Sequence, residues 1–308
     1  MPEGHSIHRL ARQFRDVFAG RRLAVSSPQG RFAAGAAVLD GRTLVRSAAH
    51  GKHLFLHFEH GIVLHVHLGL YGAWDFGGDR EFRGASSIGA PRRVGEREVP
   101  AGAGADGAGN DGDTAGYAGP PEPVGAVRVR LASDHGWADL RGATTCAAIT
   151  EAEAEAVLRR LGPDPLHNVN GGRDAFIKRL TARSTPLATL LMDQKVIAGI
   201  GNVYRAEVLF RQRIDPLLPG RSLTASAAGR VWDDTAAVMA DGVRDGRIIT
   251  TTAGYWSEPN SLPPSEEAHF VYRRHGQPCR VCGTAVALAE HAARKLYWCP
   301  TCQSTGQA

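Results

Sequence analysis

The first three residues, Met1-Pro2-Glu3, could carry nucleophilic chemistry if Met1 is removed. Proline is small enough for the initiator methionine to be trimmed, which would leave a secondary amine followed directly by a carboxylate. An α-amino group titrates at about 7.7–8, and a position at a helix N-terminus lowers its pKa further because the helix dipole disfavours a cation there. Many cytosolic chains also begin with Met-Pro, so the tripeptide alone favours an ordinary start.

Four of the five cysteines lie close to the C-terminus with the spacing of a zinc site. The pattern C-x2-C-x16-C-x2-C is typical of four thiolates around one ion, and it predicts one structural Zn²⁺. The intervening residues could form a β-hairpin with Arg294 and Lys295 near its tip. Modules of this kind bind DNA, RNA or protein. The predicted ligands are Cys279, Cys282, Cys299 and Cys302.

Two weaker signals lie between these ends of the chain. Gly199-Ile200-Gly201-Asn202 precedes a predicted helix, where backbone N–H groups and the Asn202 amide could bind a phosphate. Lys52 follows Gly51 at the head of a predicted strand, where its ammonium would project from a turn. Alone, the first pattern is only a turn, and a lone lysine is usually a solvated surface charge.

The hydrophobic pattern predicts an α+β fold. Apolar residues at helical spacing predict an N-terminal helix over 3–18, followed by strands that form an antiparallel sandwich of two sheets. Residues 77–125 are rich in Gly, Ala, Pro, Asp and Arg and should form a disordered insertion. The predicted strands are 23–27, 43–47, 52–58, 62–76, 127–131 and 137–140.

From residue 151 the pattern becomes helical, which predicts an all-helical domain with a helix-two-turn-helix motif before the zinc-finger hairpin. The glycine-rich join around residue 200 turns two helices sharply against each other. Predicted helices are 151–161, 174–181, 186–198 with Thr185 as N-cap and Pro186 in first position, 202–211 and 224–244. The predicted domains are 2–150, 151–265 and 266–308.

Charge is distributed unevenly along the 308 residues. Residues 1–172 contain 19 Lys+Arg and 19 Asp+Glu, whereas residues 173–308 contain 17 and 12, so the second half should contact a polyanion. No run of about 18 apolar residues and no signal-peptide pattern is present, so we expect a cytoplasmic protein without a membrane partner.

Taken together, these motifs resemble the formamidopyrimidine-DNA glycosylase/endonuclease VIII family. The resemblance includes Pro2-Glu3-Gly4, Gly51-Lys52-His53, the segment His67-Leu68-Gly69-Leu70-Tyr71-Gly72, the Gly199–Glu207 segment, and the finger ending Cys299-Pro300-Thr301-Cys302-Gln303. Pro2-Glu3-Gly4 and the Leu-Tyr-Gly ending of the 67–72 segment resemble the endonuclease VIII branch more than the formamidopyrimidine branch. Within the former, the chain resembles the second endonuclease VIII of the actinobacterial type.

The resemblance implies a catalytic centre at the N-terminus. The Pro2 nitrogen would attack C1′ of a damaged nucleotide and form a Schiff base, Glu3 would act as general acid/base, and Lys52 would bind the neighbouring phosphate. Leu70, with Tyr71 beside it, would fill the gap left by the flipped nucleotide.

The resemblance also implies that Asn202 and Arg294 hold the DNA backbone, and that Asp139 and Arg141 lie roughly where the family faces the undamaged strand. We therefore expect a monomeric base-excision-repair enzyme that binds damaged double- or single-stranded DNA and is nucleoid-associated when bound. It would remove oxidised bases, mainly pyrimidines, and cleave abasic sites by β,δ-elimination. Two alternatives are a catalytically weak or silent damaged-DNA-binding protein and a zinc-ribbon protein-interaction factor, although the latter does not explain Pro2-Glu3.

Overall fold

The computed structural model describes residues 2–80, 82–90, 117, 119–167, 169 and 171–304. The chain divides into two compact units, Met1–Arg159 and Arg160–Ala308. The helix that starts at Glu151 packs through Ala154 against Phe55 and Val63 of the first unit, and the predicted domain boundary after residue 150 stays a prediction. Among the described residues, no helix combines the length and apolar character needed to cross a membrane.

The described residues of the first unit form three α-helices and nine strands. The helices are α1 (Gly4–Phe18), α2 (Ala33–Leu39) and α3 (Glu151–Leu158). The strands are β1 (Arg22–Ser26), β2 (Arg42–His50), β3 (His53–Phe58), β4 (Ile62–His67), β5 (Ala73–Gly78), β6 (Ser87–Gly89), β7 (Val127–Ala132), β8 (Gly136–Arg141) and β9 (Thr145–Thr150).

The strands form an antiparallel arrangement in the order β6-β5-β8-β7-β1-β2-β3-β4-β9. Its two halves are joined through β1 and β2, where Arg22 pairs with Thr43 and Leu23 with Arg42. Side chains of both halves and the apolar face of α1 belong to one core, which includes Phe14, Leu56 and Trp74. The predicted helix and two packed β layers are therefore confirmed.

The predicted strand 62–76 is wrong in one respect, because it is two strands separated by a turn. The N–H of Gly72 donates to the carbonyl of Leu68 at 3.0 Å, and Gly69 has a φ of +69°. A Cβ at Gly69 would lie 2.4 Å from Thr144 Cγ2, so a side chain there would also force Thr144 to move. The turn carries Leu70 and Tyr71 at its tip.

The predicted disordered insertion 77–125 is too long at its N-terminal end. Gly77 and Gly78 complete β5, and β6 pairs with β5 through Ile88 opposite Trp74. The buried Ile88 side chain contributes to the core, which explains why this short strand is ordered. Most of the remaining insertion, including residues 91–116, lies outside the described residues.

In the second unit, the residues that the structure describes form four α-helices and a β-hairpin. They are α4 (Gly172–Thr181), α5 (Leu187–Leu190), α6 (Asn202–Arg211), α7 (Ala225–Asp245), β10 (Ala287–His291) and β11 (Arg294–Trp298). Helix α6 is buried on two sides. Tyr204 and Val208 belong to the helical core, whereas Ala206 and Phe210 belong to a second core that includes three of the cysteines.

The predicted helix 186–198 is wrong, because only Leu187–Leu190 is α-helical and Pro186 is its N-cap. The next residues form turns instead, as in the hydrogen bond from the N–H of Val196 to the carbonyl of Asp193 at 2.8 Å. The Asp193 carboxylate also accepts from the N–H of Lys195 at 2.9 Å, a local bond that competes with helix formation. The division of this unit at residue 265 stays a prediction.

Candidate functional site

Glu3 lies at the start of α1 and is fully buried, with 0% of its surface exposed. It is the N-cap residue, and its carbonyl accepts a hydrogen bond from the N–H of Ser6 at 3.0 Å. Pro2 is also buried. The acidic residue that follows Pro2 is therefore buried at the positive end of the helix dipole, where a negative charge is stabilised.

The alignment of α1 with β2 brings the Lys52 turn to the same end of the first unit. Beyond the C-terminal end of α1, the N–H of Gly20 donates to the carbonyl of Leu44 near the start of β2, and half-way along α1 the Ser47 hydroxyl donates to the carbonyl of Ala11. Because α1 and β2 thus run antiparallel, the end of β2 and the turn that follows it lie towards the N-terminal end of α1.

Lys52 occupies a two-residue hairpin loop. His50 pairs with His53 across the loop, so Gly51 and Lys52 are its central residues. Gly51 has a φ of +56°, which the tight loop requires and glycine adopts readily. Lys52 is half-buried, so its ammonium is carried by a short, constrained segment.

Three histidines for which the sequence predicted no role form an imidazole cluster next to this turn: His53, His65 and His67. The His53 Nδ1 and His65 Nε2 atoms are 2.9 Å apart, and the His53 and His67 rings are 4.9 Å apart. Burial lowers the pKa of His53 to about 3 and that of His65 to about 4. The signal was present in the strand alternation, since these residues alternate with the core leucines Leu54 and Leu64.

Leu70 and Tyr71 are presented to solvent. Their exposed fractions are 39% and 80%, which is high for large apolar side chains. The loop is connected to the imidazole cluster, because the N–H of Gly69 donates to His67 Nδ1 at 3.2 Å. The structure therefore has an exposed apolar tip where the sequence predicted a wedge.

Asp139 and Arg141 are engaged in ion pairs within the first unit. The Arg130 guanidinium donates to both Asp139 carboxylate oxygens, at 2.7 and 2.8 Å, and Arg141 pairs with Asp75. Asp139 is buried, and its ion pair with Arg130 stabilises the packing of β7 on β8. The expected position of Asp139 and Arg141 facing an undamaged strand stays a prediction.

In the second unit, Asn202 is the first residue of α6 and lies against the zinc-finger hairpin. Its Nδ2 donates to the carbonyl of Lys295 at 3.0 Å, and Arg294 is the neighbouring residue at the start of β11. The structure thus brings Asn202 and the exposed Arg294 together. The hairpin loop between β10 and β11 has positive φ at Ala292 and Ala293, the geometry of a tight two-residue turn.

Two further residues of α6 were missed because their partners are distant in sequence. Arg205 is fully buried, and its Nη2 donates to Asn202 Oδ1 and, at 3.1 Å, to the carbonyl of Lys295. Glu207 accepts from the N–H groups of residues 270, 271 and 272 at 2.8, 2.8 and 2.7 Å. Helix α6 therefore holds both the hairpin tip and the segment leading into the finger.

The four cysteines converge as the spacing predicted. Their sulfur atoms all lie within 4.8 Å of one another, with Cys279 and Cys302 3.9 Å apart and Cys282 and Cys299 3.4 Å apart. Four thiolates at such separations fit the tetrahedral coordination of one structural zinc ion. Gln303, for which the sequence predicted no role, accepts from the N–H of Cys299 and donates to the carbonyl of Ile214, which attaches the finger to the segment just after α6.

Comparison with protein-family models gives three matches. The formamidopyrimidine-DNA glycosylase N-terminal domain matches residues 1–111, the formamidopyrimidine-DNA glycosylase H2TH domain matches residues 161–253, and the zinc finger found in FPG and IleRS matches residues 276–305. Endonuclease 8 1 of Mycobacterium tuberculosis strain H37Rv is 42% identical over 304 residues, which cover 99% of this chain and all of the relative. The chain belongs to the formamidopyrimidine-DNA glycosylase/endonuclease VIII family. The predicted helix-two-turn-helix domain, zinc finger and single structural zinc are thereby confirmed.

Other members of the family are similar over their full length. Probable endonuclease 8 2 of Streptomyces coelicolor is 31% identical and covers 99% of this chain and 94% of its own. The crystal structure of the MutM (Fpg) protein of Thermus thermophilus superimposes with a TM-score of 0.69 and 26% identity, covering 99% of this chain and 100% of its own. The predicted endonuclease VIII branch is confirmed. Within that branch, the sequence identity is higher to Endonuclease 8 1 than to Probable endonuclease 8 2.

A more distant structure shows the same fold. The Lactococcus lactis Fpg in complex with DNA containing an abasic site superimposes with a TM-score of 0.70 and 18% identity, covering 98% of this chain and 100% of its own. It supports the arrangement of sheet, helices and finger in the two units.

Proposed function

We propose that this protein is a bifunctional DNA glycosylase/AP lyase that removes oxidised bases, mainly pyrimidines, and cleaves abasic sites by β,δ-elimination. The proposal rests on the fully buried Glu3, which lies at the start of α1 directly after Pro2 in a chain of this family. Burying a carboxylate costs free energy, and a protein retains one at such a position when it has a structural or chemical task.

The Pro2 nitrogen, once Met1 is removed, is the nucleophile of this proposal. It attacks C1′ of the flipped nucleotide while Glu3 protonates the sugar ring oxygen, the bond to the base breaks, and an iminium to the opened sugar remains. The iminium acidifies the C2′ proton. Loss of that proton expels the 3′ phosphate, a second elimination expels the 5′ phosphate, and water releases Pro2.

Lys52 binds the phosphate next to the damaged nucleotide in this proposal. Its half-buried place in the tight Gly51-Lys52 turn limits the conformations of the side chain, which favours a fixed phosphate contact over a mobile surface charge. Leu70 and Tyr71 fill the space that the flipped nucleotide leaves, and flipping costs a few kcal/mol. Their exposure supports this role.

Asn202 and Arg294 grip the DNA backbone from the second unit. The start of α6 offers backbone N–H groups to a phosphate, and Arg294 lies one residue from the carbonyl that Asn202 binds. We propose a monomer acting on damaged double- or single-stranded DNA in the cytoplasm, associated with the nucleoid while bound.

Borohydride trapping on a duplex with one abasic site tests the proposal. Reduction of the iminium should attach the protein covalently to DNA through Pro2, and peptide mass spectrometry should locate the adduct there. A form that retains Met1 should bind the duplex but fail to trap. Equal trapping by that form would contradict the Pro2 assignment, and an absence of trapping and strand cutting by the mature protein would favour a silent damaged-DNA-binding protein.

A further inference from the structure

The imidazole pair His53–His65 adjoins the turn that carries Lys52. His53 follows Lys52 directly and is the first residue of β3. Its Nδ1 lies 2.9 Å from His65 Nε2 on the neighbouring strand β4, and the two rings are stacked with centroids 5.1 Å apart. A change in this pair therefore acts on the backbone immediately after Lys52.

The His65 ring is held on its other side as well. It stacks on Phe55 with centroids 4.9 Å apart and only 8° between the planes, and it is 7% exposed. Phe55 in turn packs with Val63 of β4 and Ala154 of α3. Because this surrounding packing fixes the ring, His65 offers His53 a hydrogen-bonding atom in a constant place.

The pair is uncharged at neutral pH. Burial is the largest cause of the low pKa values of both histidines, and the charges of Lys52, His50 and His67 further lower that of His53. Burial lowers the pKa of His67 as well, and the charge of Lys52 lowers it further. The charge of Lys52 therefore acts on a neutral imidazole pair, in which one ring donates its N–H to the other, and it is not repelled by that pair.

We infer that His65 is a positioning residue: its hydrogen bond to His53 fixes the start of β3 and so directs Lys52 towards the phosphate next to the damaged nucleotide. This inference rests on the proposed function, in which Lys52 binds that phosphate. A lysine side chain has many rotamers, and a constrained backbone beneath it reduces the entropy lost when the contact forms.

Three variants test the inference: His65→Phe, His65→Gln and His57→Phe. Phenylalanine keeps the stacking on Phe55 but removes the hydrogen bond to His53, whereas glutamine can still form one. His57 is the matched control because it is buried on the same face and hydrogen-bonds to Glu151 at 2.7 Å, away from the turn. Each variant is compared with the wild type in single-turnover borohydride trapping at saturating protein, and duplex affinity is measured separately.

His65→Phe should slow trapping by about tenfold, with a smaller change in duplex affinity, because misplacement of a positioned group slows the chemical step. His65→Gln should recover most of the rate, and His57→Phe should trap like the wild type. Wild-type trapping by His65→Phe, or an equal loss in His57→Phe, would overturn the inference. A wild-type protein that does not trap at all would instead overturn the proposed function, before any variant is considered.

Discussion

The Nη2 of Arg205 donates a hydrogen bond to the backbone carbonyl of Lys295 at 3.1 Å, across 90 positions of sequence. The same guanidinium binds Asn202 Oδ1, and Asn202 Nδ2 donates to the same carbonyl. A buried cation thus connects the first turn of α6 with the tip of the zinc-finger hairpin. The two proposed phosphate-binding residues, Asn202 and Arg294, are placed by a third that DNA need not contact.

Arg205→Met should therefore weaken DNA binding without unfolding either core. Hydrogen bonds from a charged group contribute about 1.5–3 kcal/mol, so we expect an affinity loss of roughly ten- to a hundredfold. Fluorescence anisotropy on a duplex with a stable abasic analogue measures it. Arg230→Met is the control, because Arg230 lies exposed on α7 and bonds only Ser226 among the described residues; an equal loss there would contradict the prediction.

Glu3→Gln should abolish base removal while preserving the fold. The amide has the size of the buried carboxylate but cannot deliver or accept the proton, and general acid–base groups contribute about 10²–10⁴-fold to rate. Single-turnover excision of an oxidised pyrimidine measures the loss, with thermal unfolding as the check on folding. Glu153→Gln provides the comparison, since Glu153 is exposed in the capping box of α3 and its replacement should leave excision unchanged.

Cys299→Ser should release zinc and abolish DNA binding and strand cutting while the first unit remains folded. Removing one thiolate of four destroys the tetrahedral site, and binding of the metal is coupled to folding of the finger. Zinc content, circular dichroism and anisotropy follow the three effects. Cys146→Ser should keep both zinc and DNA affinity, because Cys146 lies on β9 in the other unit. DNA affinity retained without zinc would show that the prediction is wrong.

Acid should destabilise the first unit through the imidazole cluster. The pKa values of His53 and His65 are about 3 and about 4 in the folded protein, below the ordinary 6.5. Between each of these values and pH 6.5, the unfolded chain therefore binds protons that the folded chain does not. The free energy of unfolding then falls as pH falls, by about 1.4 kcal/mol per pH unit for each histidine.

Urea unfolding at pH 7, 6 and 5 checks this dependence. Between pH 6 and 5, the free energy of unfolding should fall less steeply with pH for His65→Gln than for the wild type. The difference in slope should correspond to the uptake of roughly one proton. His60→Gln supplies the control, because His60 is exposed in the turn between β3 and β4. An unchanged slope in His65→Gln would contradict the prediction. Carboxylates that titrate in the same pH range contribute equally to the variant and the wild type, so their contribution cancels in the comparison.

Sequence patterns predicted the elements whose structure is determined locally. Helix α6 was predicted with its observed bounds, because a glycine-rich turn precedes an apolar periodic segment. Thr224 caps α7 by accepting from the N–H of Ala227, a signal that also lies within a few residues. Strand β9 was missed, since its sequence does not alternate and its six-residue pairing with β4 is formed only in the folded unit.

The candidate site likewise contains residues that the sequence identified and residues whose role depends on distant segments. The cysteines were singled out by their spacing alone, whereas Pro2, Glu3 and Lys52 were singled out only by the resemblance of all the motifs together. Arg205, Glu207 and Gln303 act through backbone groups of distant segments, and nothing in their own neighbourhood indicates those partners. Sequence reasoning finds groups that do chemistry more readily than groups that hold them in place.

The two sides of α6 also limit how this helix can change in length. Arg205 binds the finger tip, and Glu207 binds residues 270–272 from a different direction. Each helical residue turns the chain by about 100°, so one inserted or deleted residue between them would rotate one set of partners out of reach. Neighbouring side chains can compensate for substitutions elsewhere on α6, but they cannot compensate for a change in its register. The spacing from Asn202 to Glu207 is therefore as much a part of the site as the residues themselves.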